Sequence, residues 1–182
     1  MFRHNKLTMN YVALLFGTLG IIIFSWFFSI KYKRYHGITR FFVFESAYIL
    51  LLLNFRFWFI NPLSIHQLIS WILLMLSGYT GIEGYLLLKR QGKSEKSFEN
   101  TSVLVKSGLY GYIRHPLYLS VFLFGIGVMF KDLQQTQLIL GAIILIAIYF
   151  TALIEENEMI AKFGDEYRKY MKETKMFIPF IF

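Results

Sequence analysis

The stretch TQLILGAIILIAIYFTALIEE, Thr136 to Glu156, decides the fold. From Thr136 to Ile154 it carries no charge. As a helix rising 1.5 Å per residue, it is long enough to cross a hydrocarbon layer of about 30 Å. Two acids follow at once, Glu155 and Glu156, with Glu158 close behind. Upstream, Pro116 to Leu133 is a shorter apolar run with Lys131 and Asp132 near its end. Ser64 to Leu88 is long enough to tilt, Phe41 to Ile60 ends at the turn signal Asn61-Pro62, and Asn10 to Ile30 comes first. These runs predict an all-α, polytopic membrane protein. They form a single membrane domain over residues 1–182 with about five transmembrane helices.

Composition agrees. The chain is 56% hydrophobic and 16% charged, against about 25% charged in soluble domains. A soluble chain of this size has no core large enough to hide so much apolar surface. Without cysteine, disulfides, thiolate metal sites and cysteine nucleophiles are excluded. The four histidines, His4, His36, His66 and His115, have no ligand spacing, so no metal is expected. The net charge of +8 sits in the connections between apolar runs. That placement suits lipid headgroups better than nucleic acid. The first run reads as a retained span: it is long for a signal peptide, and Lys31-Tyr32-Lys33-Arg34 stands where a small-residue cleavage site belongs.

Lys plus Arg number 2, 4, 0, 6, 1 and 5 in successive connections, so alternate compartments hold 15 and 3. By the positive-inside rule, this places the N-terminus outside and the C-terminus in the cytoplasm. A compact chain without targeting features fits a prokaryotic inner membrane. From Glu155 to about residue 173, Met159, Ile160, Phe163, Tyr167, Tyr170 and Met171 recur at helical period among charges. An amphipathic helix lying along the cytoplasmic interface is expected there. The final Met176-Phe177-Ile178-Pro179-Phe180-Ile181-Phe182 is too short to span and is expected to dip into the headgroup boundary.

Glu45, Arg56 and Glu83 fall inside spans, where charge is costly. Arg56 and Glu83 lie near helix ends and are read as snorkelling outward, and Glu45 as reaching the interface on the side of the basic Lys31–Arg40 loop. Gly78, Gly81 and Gly84 form a small-residue stripe suited to close helix packing.

The strongest local signal is Gly108-Leu109-Tyr110-Gly111-Tyr112-Ile113-Arg114-His115-Pro116-Leu117-Tyr118. Pro116 suits the first position of a helix. Arg114 and His115 would then stand beside free amides at a helix N-terminus, a receptor for a carboxylate. An interfacial anchor, with arginine on lipid phosphates and tyrosines in the aromatic belt, is the other reading. The fourth and fifth runs form a hairpin whose open ends carry Arg114-His115 and Glu155-Glu156. An anion receptor and a carboxylate pair therefore share one membrane depth and match a zwitterionic ligand.

Val103-Leu104-Val105-Lys106-Ser107-Gly108-Leu109-Tyr110, Arg114-His115-Pro116-Leu117-Tyr118, Glu155-Glu156 and Phe163-Gly164-Asp165-Glu166-Tyr167, in that order, resemble the isoprenylcysteine carboxyl methyltransferases. Phospholipid N-methyltransferases share much of the pattern. The resemblance covers about Leu104 to Phe182. It implies binding of S-adenosyl-L-methionine in a cytoplasmic pocket. Val103, Leu104 and Val105 would line that pocket, Tyr110, His115, Pro116, Leu117 and Tyr118 would hold the cofactor, and Glu155 would meet it from the other arm. Arg114 and Glu156 become candidates for orienting or deprotonating the acceptor. Two departures stand out: Ser120 occupies a position often glycine, and Thr151 occupies that of an arginine that meets the substrate.

The leading expectation is an S-adenosylmethionine-dependent methyltransferase acting on a lipidic, prenylated or otherwise membrane-embedded acceptor. Two others stay open: an NADPH-dependent enzyme of the sterol-reductase kind, and a non-enzymatic transporter subunit or scaffold.

Overall fold

The computed structural model describes residues 11–32, 34–93 and 101–181. His4, Asn10, Lys33 and Phe182, named above, lie outside the described residues. Six α-helices follow in order: α1 (Tyr11–Phe28), α2 (His36–Asn54), α3 (Ile65–Gln91), α4 (Pro116–Met129), α5 (Gln135–Phe163) and α6 (Asp165–Glu173). Short 3₁₀ turns occur at Ile30–Tyr32, Phe55–Phe57 and Gly108–Gly111. Among the described residues there is no strand; Ile113 and Lys175 form an isolated parallel bridge. The protein is an all-α integral membrane protein. α1, α2 with its 3₁₀ extension, α3 and α5 are long and apolar enough to cross a membrane, and α4 is a shorter apolar helix.

α4 has 14 residues and stops at Met129, so it rises about 21 Å and does not reach Leu133. The cause is Lys131. The chain turns back so that this side chain, only 2% exposed, enters the bundle. Its Nζ donates to Gln67 Oε1 at 3.0 Å and stands 3.4 Å from the centre of the Trp71 ring, an ammonium on an aromatic face. Asn54 Nδ2 donates to Val128 O at 2.8 Å, and Gln67 Nε2 donates to Lys131 O at 3.3 Å. Backbone carbonyls at and just beyond the end of α4 are thereby held from α2 and α3.

α5 continues unbroken for 29 residues to Phe163. The expected interfacial helix from Glu155 is therefore corrected: Glu155, Glu156 and Glu158 ride on the last turns of α5. The helical period of Met159, Ile160 and Phe163 continues that of the span, and nothing interrupts it before Gly164. There the backbone takes φ +57°, which glycine adopts without steric cost. α6 is then only nine residues long, and its apolar face turns inward: Tyr167 and Tyr170 are buried against protein. Of the terminal segment, Met176 is buried, while Ile178, Phe180 and Ile181 are exposed.

α3 and α4 meet along small residues. Ser70 Oγ donates to Gly127 O at 2.6 Å and Ser77 Oγ to Ser120 O at 2.8 Å. A methyl group at Gly81 would stand 2.6 Å from Ser120 Oγ, and one at Gly84 would press on Pro116 and Leu117; at Gly78 it would meet nothing. Gly81 and Gly84 are thus packing positions and Gly78 is not. Glu45 is corrected too. It accepts a hydrogen bond from Thr18 of α1 at 2.6 Å, midway along α2, and does not reach the basic loop. Arg56 is exposed at the far end of α2, as snorkelling requires. Gly81→Leu is expected to force α3 from α4 at a cost of about 1–3 kcal/mol, read as a lowered thermal midpoint in detergent. Gly78→Leu, facing open space, should leave the midpoint unchanged.

Candidate functional site

Pro116 is the first residue of α4, as its missing N–H favours. The two residues before it are not an open anion receptor. Arg114 N donates to Lys175 O at 2.8 Å and His115 N to Met176 O at 3.2 Å, while Lys175 N donates back to Tyr112 O at 3.0 Å. Chain beyond α6 runs beside residues 112–115 and takes those amides, a tertiary pairing that no local pattern announces.

The Arg114 side chain is also committed. Its Nε donates to Glu156 Oε1 at 2.6 Å, and its Nη1 to Thr174 O at 2.7 Å and Met171 O at 3.3 Å. His115 Nε2 lies 3.2 Å from the same Glu156 oxygen and Nδ1 lies 3.7 Å from Glu155 Oε2. The imidazole stacks on Tyr118 with 5.4 Å between ring centres. Glu156 is closed in at 5% side-chain exposure, whereas Glu155 keeps 20%. From the α1–α2 connection, Arg34 reaches Glu155 at 3.9 Å and Glu158 at 3.3 Å, and His36 Nδ1 lies 2.9 Å from Glu158. The three glutamates of α5 are thus gripped from both sides.

A cavity of about 260 Å³ opens beside this cluster, near the lower edge of small-molecule sites. Of the residues singled out from sequence, Leu104, Val105, Tyr110, Arg114, His115, Leu117, Tyr118 and Glu155 line it. Val103, Pro116 and Glu156 do not. Val103 is 43% exposed and donates its N–H to Gly92 O at 3.2 Å. Pro116 packs towards Gly84 of α3, and Glu156 stands behind Arg114 and His115.

Several wall residues were not anticipated. Tyr167 and Tyr170 come from α6, Phe24 from α1, Arg40 and Phe44 from α2, Tyr85 from α3 and Met159 from α5. Tyr170 Oη donates to Tyr110 O at 2.6 Å, fastening α6 over the cavity. Burial raises the Tyr167 pKa, and the neighbouring Glu156 and Glu155 charges raise it further, so its phenol stays protonated. The sequence did contain one signal for Arg34 and His36. A basic connection and an acidic helix end, assigned to the same side, complement each other in charge. Thr151, buried, donates to Ala147 O at 2.6 Å, and its hydroxyl lies 2.8 Å from that of Thr39, joining α5 to α2.

With this geometry in view, the comparisons with known proteins gain content. The family model described as phospholipid methyltransferase matches residues 65–166, more than half of the chain. The chain belongs to that family. A protein-S-isoprenylcysteine O-methyltransferase of Saccharomyces cerevisiae is 34% identical over 84 residues, 46% of this chain and 35% of the relative. Its mouse counterpart is 36% identical over 93 residues, 49% and 31% of the two chains. A methanethiol S-methyltransferase 1 of Bradyrhizobium diazoefficiens is 36% identical over 74 residues, 39% and 24%. The chain spans about a third of the length of the curated relatives it matches. No solved structure matches it. Family membership favours neither the nicotinamide-reductase reading nor the non-enzymatic one.

Removing Glu156 strands the buried Arg114 charge, for which about 3–5 kcal/mol is the usual cost. Glu156→Leu should lower the unfolding midpoint and speed amide exchange at Arg114, His115 and Lys175. Glu166→Gln, which breaks an exposed pair with Lys106, should change stability by no more than about 1 kcal/mol.

Proposed function

We propose that the protein is an S-adenosyl-L-methionine-dependent methyltransferase acting on a lipidic or membrane-embedded acceptor. One observation carries the reading: His115 and Glu155, from the two open ends of the α4–α5 hairpin, line the same cavity. The residues present fit the donor. The part-exposed Glu155 carboxylate suits its ammonium by a charge-assisted hydrogen bond. The tyrosine-rich wall of Tyr85, Tyr110, Tyr118 and Tyr167 suits a sulfonium cation. His115 is the side chain left for its carboxylate, because the Arg114 guanidinium is engaged by Glu156 and two carbonyls. Leu104 and Val105 complete the apolar side.

When bound, the cofactor supplies a methyl group on a sulfonium, open to in-line displacement. The chain's part is to orient the reactants and exclude water. Arg114 and Glu156 serve that end as positioning residues: their ion pair holds the His115 ring at fixed height beside Glu155. Tyr167 and Tyr170 close the cavity from α6, so water reaches it less readily. The names of the relatives span oxygen and sulfur acceptors, so family membership leaves the methylated atom open. On the positive-inside count the cavity end faces the cytoplasm, the donor arrives from there, and the acceptor arrives from the bilayer. A prokaryotic inner membrane fits this arrangement.

Saturable binding of S-adenosylhomocysteine to the full chain in nanodiscs is the expected result, measured by calorimetry. Glu155→Gln and His115→Ala should each weaken it tenfold or more, about 1.4 kcal/mol, and Glu166→Gln should not. Absence of binding by the folded wild-type chain would falsify the proposal.

A further inference from the structure

Beyond α6 the chain forms a strap across the start of α4. Three backbone hydrogen bonds fasten it: Arg114 N donates to Lys175 O, His115 N to Met176 O, and Lys175 N to Tyr112 O. Arg114 Nη1 adds bonds to Met171 O and Thr174 O. The Phe177 ring then lies 5.8 Å from that of His115, the side chain assigned to the donor's carboxylate. The strap thus fixes Arg114 and His115 from outside the cavity.

What the strap carries next is apolar and uncovered. Phe180 is 82% exposed and Ile181 76%, and Ile178 is exposed as well. Tyr112, also exposed, meets Phe180 edge-on with 6.1 Å between ring centres. Tyr112 precedes the first residue of α4 by four positions, and α4 packs among the spans α2, α3 and α5. The tip therefore stands where spans meet headgroups, the level at which aromatic rings settle.

Charge marks its partner. α6 spends its apolar face on protein, with Tyr167 and Tyr170 buried. Lys169, Lys172 and Lys175 recur at every third position and are exposed. In this stretch Asp165 pairs with Arg168 and Glu166 with Lys106, which leaves the three lysines against Glu173. An apolar tip beside lysines matches a bilayer surface rich in anionic headgroups, which attracts the cations and buries the apolar side chains.

We propose that Tyr112, Ile178, Phe180 and Ile181, with Lys172 and Lys175, dock on anionic phospholipid of the adjoining leaflet, and that this docking tightens the donor seat. Lipid holds the tip, the tip holds the strap, and the strap's carbonyls hold Arg114 and His115. A lipid that favours the closed strap over an open one shifts that equilibrium and raises donor affinity with it. The coupling to the donor rests on the methyltransferase reading, whereas the lipid surface does not.

The test uses the full chain in nanodiscs of phosphatidylcholine alone and of phosphatidylcholine and phosphatidylglycerol in equal parts. Amide exchange at Arg114, His115 and Lys175 reads the strap. Calorimetry reads S-adenosylhomocysteine, a zwitterion that the surface charge does not itself concentrate. Phosphatidylglycerol is expected to slow the exchange and tighten the binding, each about fivefold or more. Joint Lys172→Gln and Lys175→Gln substitution should remove the lipid effect and leave affinity in phosphatidylcholine unchanged. Joint Phe180→Ser and Ile181→Ser substitution should speed the exchange in both discs. Exchange that ignores phosphatidylglycerol overturns the inference, as does an undiminished lipid effect in the folded lysine variant. Inorganic phosphate reproducing the effect in phosphatidylcholine would make this an ion site. Pairing of two chains per disc, broken by the Phe180→Ser and Ile181→Ser changes, would give the tip to a second copy. Either result overturns the lipid assignment. Slowed exchange with unchanged S-adenosylhomocysteine affinity overturns the coupling to the donor. If S-adenosylhomocysteine binds in neither disc while the exchange still slows, the methyltransferase reading falls and the lipid surface stands.

Discussion

Three carboxylates within four residues at the end of an apolar helix set the terms for the rest of the structure. Glu155, Glu156 and Glu158 cannot be left bare where the surroundings are poor in water, since an uncompensated charge there costs several kcal/mol. Their neutralisation comes from two separate stretches of chain. Arg34 and His36 approach from the α1–α2 connection, and Arg114 and His115 from the start of α4. α5 is thereby clamped between α2 and α4 at one depth. A cavity survives beside the clamp because the ion pairs hold those helices at fixed separation instead of letting them collapse.

The start of α4 at Pro116 serves the same clamp. A helix starting at Pro116 leaves residues 101–115 free to fold across the bundle end, bringing Leu104, Val105 and Tyr110 to the cavity. The cost is a set of open backbone groups at both ends of α4. At the cavity end, the chain at Lys175 and Met176 takes up Arg114 N and His115 N. At the far end, the side chains of Asn54 and Gln67 donate to Val128 O and Lys131 O, and Lys131 Nζ holds Gln67 in turn. Both ends of α4 are thus finished by residues distant in sequence, as expected where water is too scarce to satisfy backbone groups.

Much of this was legible in the sequence. Five apolar runs match the five apolar helices, because hydrophobic length is a local property. The proximity of His115 to Glu155 followed from hairpin connectivity alone. What stayed hidden required tertiary knowledge. Tyr167 and Tyr170 have the spacing of an interfacial helix, and spacing does not tell whether lipid or protein covers the apolar face. Arg114 and Glu156 read as candidates for orienting or deprotonating an acceptor because sequence shows charge but not that the two pair with each other. Arg40 passed as one of several positive-inside charges, although a single helical turn separates the interface from the interior.

The family model covers residues 65–166, which contain α3, α4, the glutamates of α5 and the loop carrying Leu104 to Tyr110. On the reading proposed above, these elements hold the donor. Phe24, Arg40 and Phe44 fall outside that range, in α1 and α2. The names of two relatives differ in their acceptor, an isoprenylcysteine in one and methanethiol in the other. The part of the cavity wall contributed by α1 and α2 thus lies outside the segment that the family model describes, although Arg34 and His36 tie that part to the glutamates of α5.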